Sequence, residues 1–511
     1  MESKIEELKA RLREIRDLEG AAALLAWDQH TCMPAGGAPA RMRQIAILRR
    51  LVHERATDPG LGRLLDELRP YEESLSYDSD EASLIRVARR DYEQAVRIPS
   101  DFVARLSEHT SATFQLWREA YPAGDFARVR PYLERTLDLS RQLAEFFPGY
   151  EHIADPLIDL QDYGVRAETV RAVFAGLREQ LVPLVREIIS QPPLDDACLH
   201  QFFSEQQQLA FGSEVLRRLG YDFTRGRQDK SPHPFTTSFS IGDVRITTRV
   251  AENALDEALF GSLHEAGHGI YEQGIDEKFE GTPLASGASF SVHESQSRLW
   301  ENLVGRSLSF WRFFYPGLQA LFPDQLGNVS LEAFYQAINK VECSPIRVGA
   351  DEVTYNLHVL MRFDLELRLL EGELSVRELP EAWNTRMAED LGIMPESDRE
   401  GVLQDVHWYN GVIGGMFHGY TLGNILSAQF FEAALRAHPE ITGEMEAGNF
   451  ATLLEWLREN IHRHGRKYTT FELVRRVTGD ELRIEPYIRY LRKKYGELYN
   501  IADSNVNQTI A

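Results

Sequence analysis

Apolar residues recur at three- and four-residue steps along most of the chain, with polar residues between them. This spacing is typical of helices that bury one face and expose the other to water. It is clearest in residues 3–28, 80–97, 127–147, 167–189 and 485–499. The pattern predicts a mainly α-helical protein.

One segment departs from this helical spacing. In residues 236–250, TTSFSIGDVRITTRV, β-branched and aromatic residues alternate around Ile241-Gly242-Asp243. The alternation predicts a short β-hairpin or small sheet. Proline and glycine mark turns elsewhere, but no stretch is long and polar enough for an interdomain linker. We therefore expect one unit over residues 1–511, with a helical N-terminal part to about 230 and a helical C-terminal part over about 231–511 that carries the site.

Composition narrows the classes of partner. The 511 residues include 56 basic and 78 acidic side chains, for a net charge of −22, which repels nucleic acid and anionic membranes. No stretch approaches the ~18 apolar residues that span a bilayer, and the charged start lacks a secretory signal. The sequence therefore predicts a cytoplasmic protein without nucleic-acid or membrane partners. Its three cysteines, Cys32, Cys198 and Cys343, are widely spaced, which predicts small buried residues and no disulfides.

A candidate metal motif lies in residues 256–274, which contain His264-Glu265-Ala266-Gly267-His268. Helical residues four apart share a face, so His264 and His268 can bind one ion. Glu265 lies to one side of that face, where its carboxylate can act as general base on a metal-activated water. The apolar and small residues around the motif predict a helix packed in a core, where unpaired imidazoles would be costly without a metal.

A catalytic zinc site usually has three protein ligands and an open position for water. Glu294 is the best candidate for the third ligand because it lies 26 residues after His268, at the start of another amphipathic helix. The predicted set is therefore two histidines and one glutamate.

Several motifs together resemble the carboxypeptidase Taq family of zinc metallocarboxypeptidases. The resemblance rests on residues 233–235 (HPF), 243–247 (DVRIT), the His264–His268 motif with 293–298 (HESQSR), 346–355 (IRVGADEVTY) and 401–408 (GVLQDVHW). Trp27-Asp28, Met33-Pro34 and residues 420–423 also match, so the resemblance covers most of the chain.

This resemblance implies a helical, zincin-like metallopeptidase with a deep active-site groove and a homodimeric assembly. It also implies removal of single residues from peptide C-termini with broad specificity. One zinc ion per chain is expected, and cobalt accepts the same ligands.

The motifs also indicate substrate-binding and catalytic residues. A carboxypeptidase must recognise a terminal carboxylate, which the guanidinium fork of arginine matches. Arg347 is the first candidate, while Arg245 is the second and could equally pair with Asp243. His407 and Tyr420 are candidates to stabilise the oxyanion, and His233 is expected in the groove without an assigned task.

Two further hypotheses concern the surroundings of the metal. Metal-bound imidazoles usually donate their second N–H to a carboxylate or carbonyl, and Asp351, Glu352 and Asp405 are the candidates. His293 is either part of the site or a helix-start residue. An extended peptide could also pair with an exposed strand edge within residues 244–248.

Two alternatives stay open at the level of sequence. A metalloendopeptidase or oligopeptidase would use the same ligands and base but no carboxylate clamp. A non-catalytic peptide-binding protein would keep the scaffold without turnover. A C-terminal amide on the substrate distinguishes the first alternative, because it removes the carboxylate that an exopeptidase recognises.

Overall fold

Helices account for most of the computed structural model, which describes residues 1–501. This confirms the mainly α-helical prediction. The first helices are α1 (Glu2–Thr31), α2 (Ala38–Ala56), α3 (Pro59–Ser74), α4 (Asp80–Arg97), α5 (Ser100–Ala120), α6 (Phe126–Glu145), α7 (Asp155–Asp159), α8 (Ala167–Ile189) and α9 (Glu205–Leu219). After the strands come α10 (Leu255–Gln273), α11 (Phe290–Arg298), α12 (Leu308–Leu321), α13 (Pro323–Leu326), α14 (Leu331–Ala337), α15 (Tyr355–Glu371), α16 (Leu379–Leu391), α17 (His407–Asn410), α18 (Phe417–Ala437), α19 (Ile441–Glu446), α20 (Ala451–Asn460), α21 (Thr470–Thr478) and α22 (Glu485–Tyr499).

The chain forms two compact units, and it passes through each of them more than once. Unit 1 consists of Met1–Arg97, Ala197–Leu331 and Phe430–Gly479. Unit 2 consists of Ile98–Asp196, Glu332–Gln429 and the chain from Asp480 onward. Each unit therefore depends on contacts between segments that are far apart in sequence.

The predicted hairpin is present in unit 1 as part of a three-stranded sheet. The strands β1 (Gln228–Lys230), β2 (Thr236–Ser240) and β3 (Asp243–Thr248) lie in the order β1-β3-β2. β2 pairs with β3 antiparallel, and β1 pairs with β3 parallel. Helix α10 packs against β3, so the sheet lies beside the helix that carries the candidate motif.

Helix α10 is buried on most of its surface because its sequence is apolar or small on several faces. Leu263 and Ala266 are fully buried, and α10 packs closely on α11 at Gly267. A Cβ atom at that position would lie 2.6 Å from the carbonyl oxygen of Gln296 and from the Cα of Ser297. Glycine is therefore required for this close approach, as the small residues of the motif predicted.

Two other sequence predictions have structural outcomes. No helix within residues 1–501 combines the length and the apolar character needed to cross a bilayer. None of the three cysteines forms a disulfide within residues 1–501, but the prediction that they are buried was wrong: Cys32 is exposed and the other two are half-buried. Cys32 follows the last residue of α1, where the chain leaves the helix at the surface.

Candidate metal centre

Three potential metal ligands converge in unit 1. His264 and His268 lie one turn apart on α10, and Glu294 lies on the neighbouring α11. Their ligand atoms all lie within 4.8 Å of one another. The Oε2 atom of Glu294 is 3.7 Å from Nε2 of His264 and 3.5 Å from Nε2 of His268. The two Nε2 atoms and one carboxylate oxygen thus face a common point.

Glu294 is held in this orientation by Arg298, one helical turn further along. The Nε atom of Arg298 donates to Oε1 of Glu294 at 2.7 Å, which leaves Oε2 for the imidazole side. Glu294 is only 2% exposed. Burial favours its protonated form, but Arg298 and His264 outweigh this effect and hold the pKa of the carboxyl well below its usual range. The carboxylate is therefore ionised and available as a ligand.

His264 is oriented by a second carboxylate. Its Nδ1 atom lies 2.9 Å from Oε2 of Glu301, in the π-helical segment Leu299–Val304 that follows α11. Burial raises the pKa of Glu301, but Arg298 and His264 reverse the shift and lower the pKa to about 2. The pKa of His264 is raised, because Glu294 and Glu301 outweigh the effect of burial. Segments of π-helix often occur at functional sites, and here the segment contains the partner of a candidate ligand.

His268 is bonded to another imidazole. Its Nδ1 atom lies 2.7 Å from Nδ1 of His293, and Nε2 of His293 lies 2.8 Å from Oε1 of Glu272. That oxygen also accepts the backbone N–H of Gly287. Burial lowers the pKa of His268 to about 4, and the neighbouring imidazoles act in the same direction. His293 is therefore part of the bonded network around the candidate ligands and not only a helix-start residue.

Glu265 lies beside the three convergent ligands. Its Oε2 atom is 2.7 Å from the hydroxyl oxygen of Thr236 on β2, and its side chain is buried. Burial raises the pKa of the Glu265 carboxyl, although the nearby His264 and the Thr236 hydroxyl oppose this shift. A carboxylate with a raised pKa accepts a proton more readily than one in water, which suits a general base.

The donor atoms fit a divalent metal ion. Two imidazole nitrogens and one carboxylate oxygen form a common ligand set of catalytic zinc, with a position left for water. A buried carboxylate facing two half-buried imidazoles is also costly without a cation. Both the chemistry and the burial of these residues therefore favour metal binding.

A second polar cluster lies in unit 2 around Asp405. Arg347 donates from Nε and Nη2 to Asp405 at 2.6 and 3.2 Å, and from Nη1 to the Tyr355 hydroxyl at 3.1 Å. The Nε atom of Arg362 donates to the same carboxylate at 2.8 Å. Arg347 is only 6% exposed. The guanidinium of Arg347 is thus largely occupied by partners within its own unit.

Asp405 also connects this cluster to His407 and Tyr420. It forms a short hydrogen bond with Nδ1 of His407, whose Nε2 lies 3.0 Å from the Tyr420 hydroxyl. Burial opposes the charge on Asp405, but Arg347, His407 and Arg362 together hold its pKa well below the usual range. Arg347 and His407 therefore share one ionised carboxylate, and Tyr420 joins the cluster through His407.

The remaining predicted site residues lie near the sheet of unit 1. Arg245 makes a two-point ion pair with Asp243, with both N–O distances at 2.8 Å, and its guanidinium lies 4.5 Å from the Trp27 ring centroid. The sequence left this pairing open as an alternative role. His233 is exposed between β1 and β2, and its carbonyl accepts from the Ser231 hydroxyl.

The carboxylates that the sequence suggested as partners of the metal-binding imidazoles have other partners. Asp405 binds the arginines described above. Asp351 accepts from the Thr354 hydroxyl at 2.6 Å, and Glu352 pairs with Lys494 at 2.7 Å. The partners of the imidazoles are instead Glu301 and His293.

Comparison with known proteins agrees with this geometry. Residues 7–495 match the family model described as Carboxypeptidase Taq (M32) metallopeptidase. The chain belongs to this family. The family predicted from the sequence motifs is therefore confirmed. The enzyme is a metallocarboxypeptidase, which is a peptide hydrolase. Membership of this family implies a divalent metal ion.

Relatives match this carboxypeptidase over nearly its whole length. It is 42% identical to thermostable carboxypeptidase 1 of Thermus thermophilus over 95% of this chain and 97% of that protein. It is 37% identical to carboxypeptidase 1 of Bacillus subtilis, with 96% and 97% covered. Among solved structures, the M32 carboxypeptidase of Deinococcus radiodurans R1 is 50% identical, has a TM-score of 0.94, and matches over 98% of this chain and 100% of that one.

Sequence reasoning about this carboxypeptidase missed several residues that support the site. Glu301 and Arg298 had a detectable signal, since Glu294, Arg298 and Glu301 follow one another at steps of four and three. Such spacing places them on one helical face. Glu272 gave no comparable signal, because its contact with His293 depends on how α10 and α11 pack.

Proposed function

We propose that the enzyme uses zinc to hydrolyse the C-terminal peptide bond of peptides with broad specificity. In this proposal His264, His268 and Glu294 hold one zinc ion, and Glu265 is the general base. The observation that carries it is the convergence of two imidazole nitrogens and a buried carboxylate oxygen within 4.8 Å. When bound, the ion would lower the pKa of water and polarise the peptide carbonyl. Cobalt would accept the same ligands.

Glu265 supplies the proton transfer that hydrolysis needs. Its carboxylate takes a proton from the attacking water and returns it to the amine that leaves. Burial favours the protonated form that Glu265 takes after it accepts the proton, and the hydrogen bond from the Thr236 hydroxyl at 2.7 Å holds the orientation of the carboxylate. Burial and orientation together support Glu265 in this role.

His407 and Tyr420 are proposed to stabilise the oxyanion that forms when water attacks the carbonyl. Asp405 accepts from Nδ1 of His407 and so holds the ring with its Nε2 atom 3.0 Å from the Tyr420 hydroxyl oxygen. A preoriented pair of this kind supplies a donor without reorganisation during the reaction. The family motifs that contain both residues support this assignment.

Arg347 is proposed to recognise the terminal carboxylate of the substrate. Its three bonds to Asp405 and Tyr355 use three of the five N–H groups of a guanidinium. One N–H on each terminal nitrogen remains for a carboxylate. Arg245 is the second candidate, and His233 is proposed as a groove residue.

Strand β2 is the proposed place for backbone pairing with a peptide. Residues 244–248, where the sequence suggested an exposed edge, belong to β3, which lies between β1 and β2. An edge strand has unpaired backbone groups that an extended peptide can use. β2 also carries Thr236, the partner of Glu265, so a peptide paired there would lie beside the proposed base.

The resemblance also supports a homodimer that acts in the cytoplasm, with residues 1–511 working as one catalytic unit. Sedimentation velocity of the purified enzyme tests the dimer. A mass of one chain across the concentration range would contradict it.

The decisive experiment compares an N-blocked dipeptide with the same compound amidated at its C-terminus, in the presence and absence of a chelator. We expect cleavage of the free acid alone and loss of activity on chelation. Glu265→Gln should be inactive yet retain metal, measured by atomic absorption. Internal cleavage of amidated longer peptides would indicate an endopeptidase, and metal binding without any cleavage would indicate a peptide-binding protein.

A further inference from the structure

A buried carboxyl group outside all of the predicted site residues holds the chain around His407. Glu366 lies on α15 and is 2% exposed. Its Oε1 atom accepts two hydrogen bonds, from Nε1 of Trp408 at 2.8 Å and from the backbone N–H of Gly414 at 3.0 Å. One donor directly follows His407, and the other lies six residues before Tyr420. A single oxygen thus binds the first residue of the segment between His407 and Tyr420 and a residue near the middle of that segment.

Gly414 lies in a turn whose backbone has positive φ angles at two consecutive residues. Gly414 and Gly415 have φ values of +90° and +99°, a region that favours glycine. A Cβ atom at Gly415 would lie 2.4 Å from the carbonyl oxygen of Leu157. The turn is therefore closely packed, and its buried N–H would be costly without the Glu366 acceptor.

One helical turn earlier on α15, Arg362 holds the other side of the same segment. It donates from Nε to Asp405 at 2.8 Å and from Nη2 to Gln404 at 3.0 Å. Arg362 and Glu366 are four residues apart, so they lie on the same face of α15. Arg362 and Glu366 of α15 therefore bind residues 404–414 at two places, shortly before α18 begins at Phe417.

We infer that Glu366 is a positioning residue that sets the geometry of the His407–Tyr420 pair by anchoring residues 408–414 to α15. Its effect on catalysis rests on the proposed function of that pair, whereas the anchoring itself does not. Within residues 1–501 its second oxygen, Oε2, has no hydrogen-bond partner. One acceptor oxygen is therefore enough for both contacts, and a glutamine can provide it.

Hydrogen exchange tests the anchoring without using activity. In Glu366→Ala we expect the amides of residues 405–416 to exchange about ten-fold faster, because a buried hydrogen bond is lost, while Glu366→Gln exchanges like the parent enzyme. Trp408→Phe removes one donor and gives the same test if the alanine variant does not fold. Asp364→Asn is the control on the same helix, since Asp364 pairs with Arg386 instead. Unchanged exchange in both Glu366→Ala and Trp408→Phe would overturn the inference.

Kinetics then tests the consequence for catalysis. We expect kcat of Glu366→Ala to fall about a hundred-fold, as for a small misplacement of reacting groups, with KM changed much less and kcat restored by Glu366→Gln. In a Tyr420→Phe background, Glu366→Ala should lower kcat by about two-fold or less, because Glu366 acts through Tyr420. Additive losses would overturn positioning through Tyr420. If Tyr420→Phe alone keeps full kcat, the proposed role of Tyr420 fails, and the exchange experiment still decides the anchoring.

Discussion

The Nδ1 atom of His268 lies 2.7 Å from the Nδ1 atom of His293, so one candidate metal ligand is bonded to an imidazole and not to a carboxylate. If Nε2 of His268 binds the metal, Nδ1 of His268 carries the ring proton and donates a hydrogen bond to Nδ1 of His293. The Nε2–H of His293 is then directed at Glu272, at 2.8 Å. Each proton thus has one acceptor, and the orientation of His268 depends on two residues that do not bind the metal.

We therefore predict that His293→Ala weakens metal binding about ten- to hundred-fold, the usual effect of removing an outer partner of a ligand. Competition with a metal-chelating dye measures the affinity. His438→Ala is the control, because the His438 side chain is 41% exposed and pairs with Glu440. Equal metal affinity of His293→Ala and the parent enzyme would contradict the role of His293.

The close packing of α10 on α11 leads to a second prediction. Gly267→Ala should lower the thermal unfolding midpoint and weaken metal binding, because its new methyl group meets backbone atoms at 2.6 Å and forces apart the helices that carry His268 and Glu294. Overpacking of this kind typically costs about 1–3 kcal/mol. Calorimetry and dye competition measure the two effects.

Gly212 offers a matched control for that substitution. It also lies within a helix of unit 1, on α9, but a Cβ atom there would meet nothing within 4 Å. Gly212→Ala should therefore leave metal affinity unchanged and stabilise the protein by about 0.5–1 kcal/mol. A fall in metal affinity for both alanine variants would show that packing at Gly267 has no special role.

Asp405 should be a strong determinant of stability in unit 2. Its loss would leave Arg347 and Arg362 buried without their shared carboxylate. Asp405→Asn is expected to destabilise by about 3–5 kcal/mol, measured from the urea midpoint. Asp364→Asn should cost about 1 kcal/mol or less, because Asp364 and Arg386 form a half-exposed pair. Similar losses for the two variants would contradict the importance of burial.

The same carboxylate predicts a dependence of stability on pH. Its pKa is well below the usual range in the folded protein, and about 3.9 in an unfolded chain. Its contribution is therefore present above about pH 4 and is lost as the pH falls toward the folded pKa. Urea midpoints between pH 2.5 and 6 should fall more steeply for the parent enzyme than for Asp405→Asn. Parallel curves would show that Asp405 is not responsible for this dependence of stability on pH.

Removal of metal should destabilise the enzyme partially. Without the ion, the ionised Glu294 lies against two imidazoles with Glu265 close by, and the loss of a bound ligand lowers apparent stability. We expect a lower thermal midpoint after dialysis against a chelator, with the far-UV helical signal at 25 °C unchanged. Added zinc should restore the midpoint. Loss of the helical signal on chelation would show that the metal maintains the fold as a whole.

Much of the fold and part of the site follow from local spacing. Helical periodicity gave the mainly α-helical class, and alternation in residues 236–250 gave the hairpin, because both patterns depend on neighbours in sequence. The four-residue step between His264 and His268 placed two imidazoles on one face for the same reason. Small residues at 266 and 267 likewise indicated a closely packed helix.

The tertiary structure alone decided which distant residues meet. It paired His264 with Glu301 and His268 with His293, where the sequence had suggested Asp351, Glu352 or Asp405. It also surrounded Arg347 with partners of its own unit and placed β3 inside the sheet. These contacts depend on how elements far apart in the chain pack against each other, which the period of a single helix or strand does not encode. The local sequence therefore determines which ligand groups are present, whereas their orientation and charge balance are determined only when distant segments pack together in each unit.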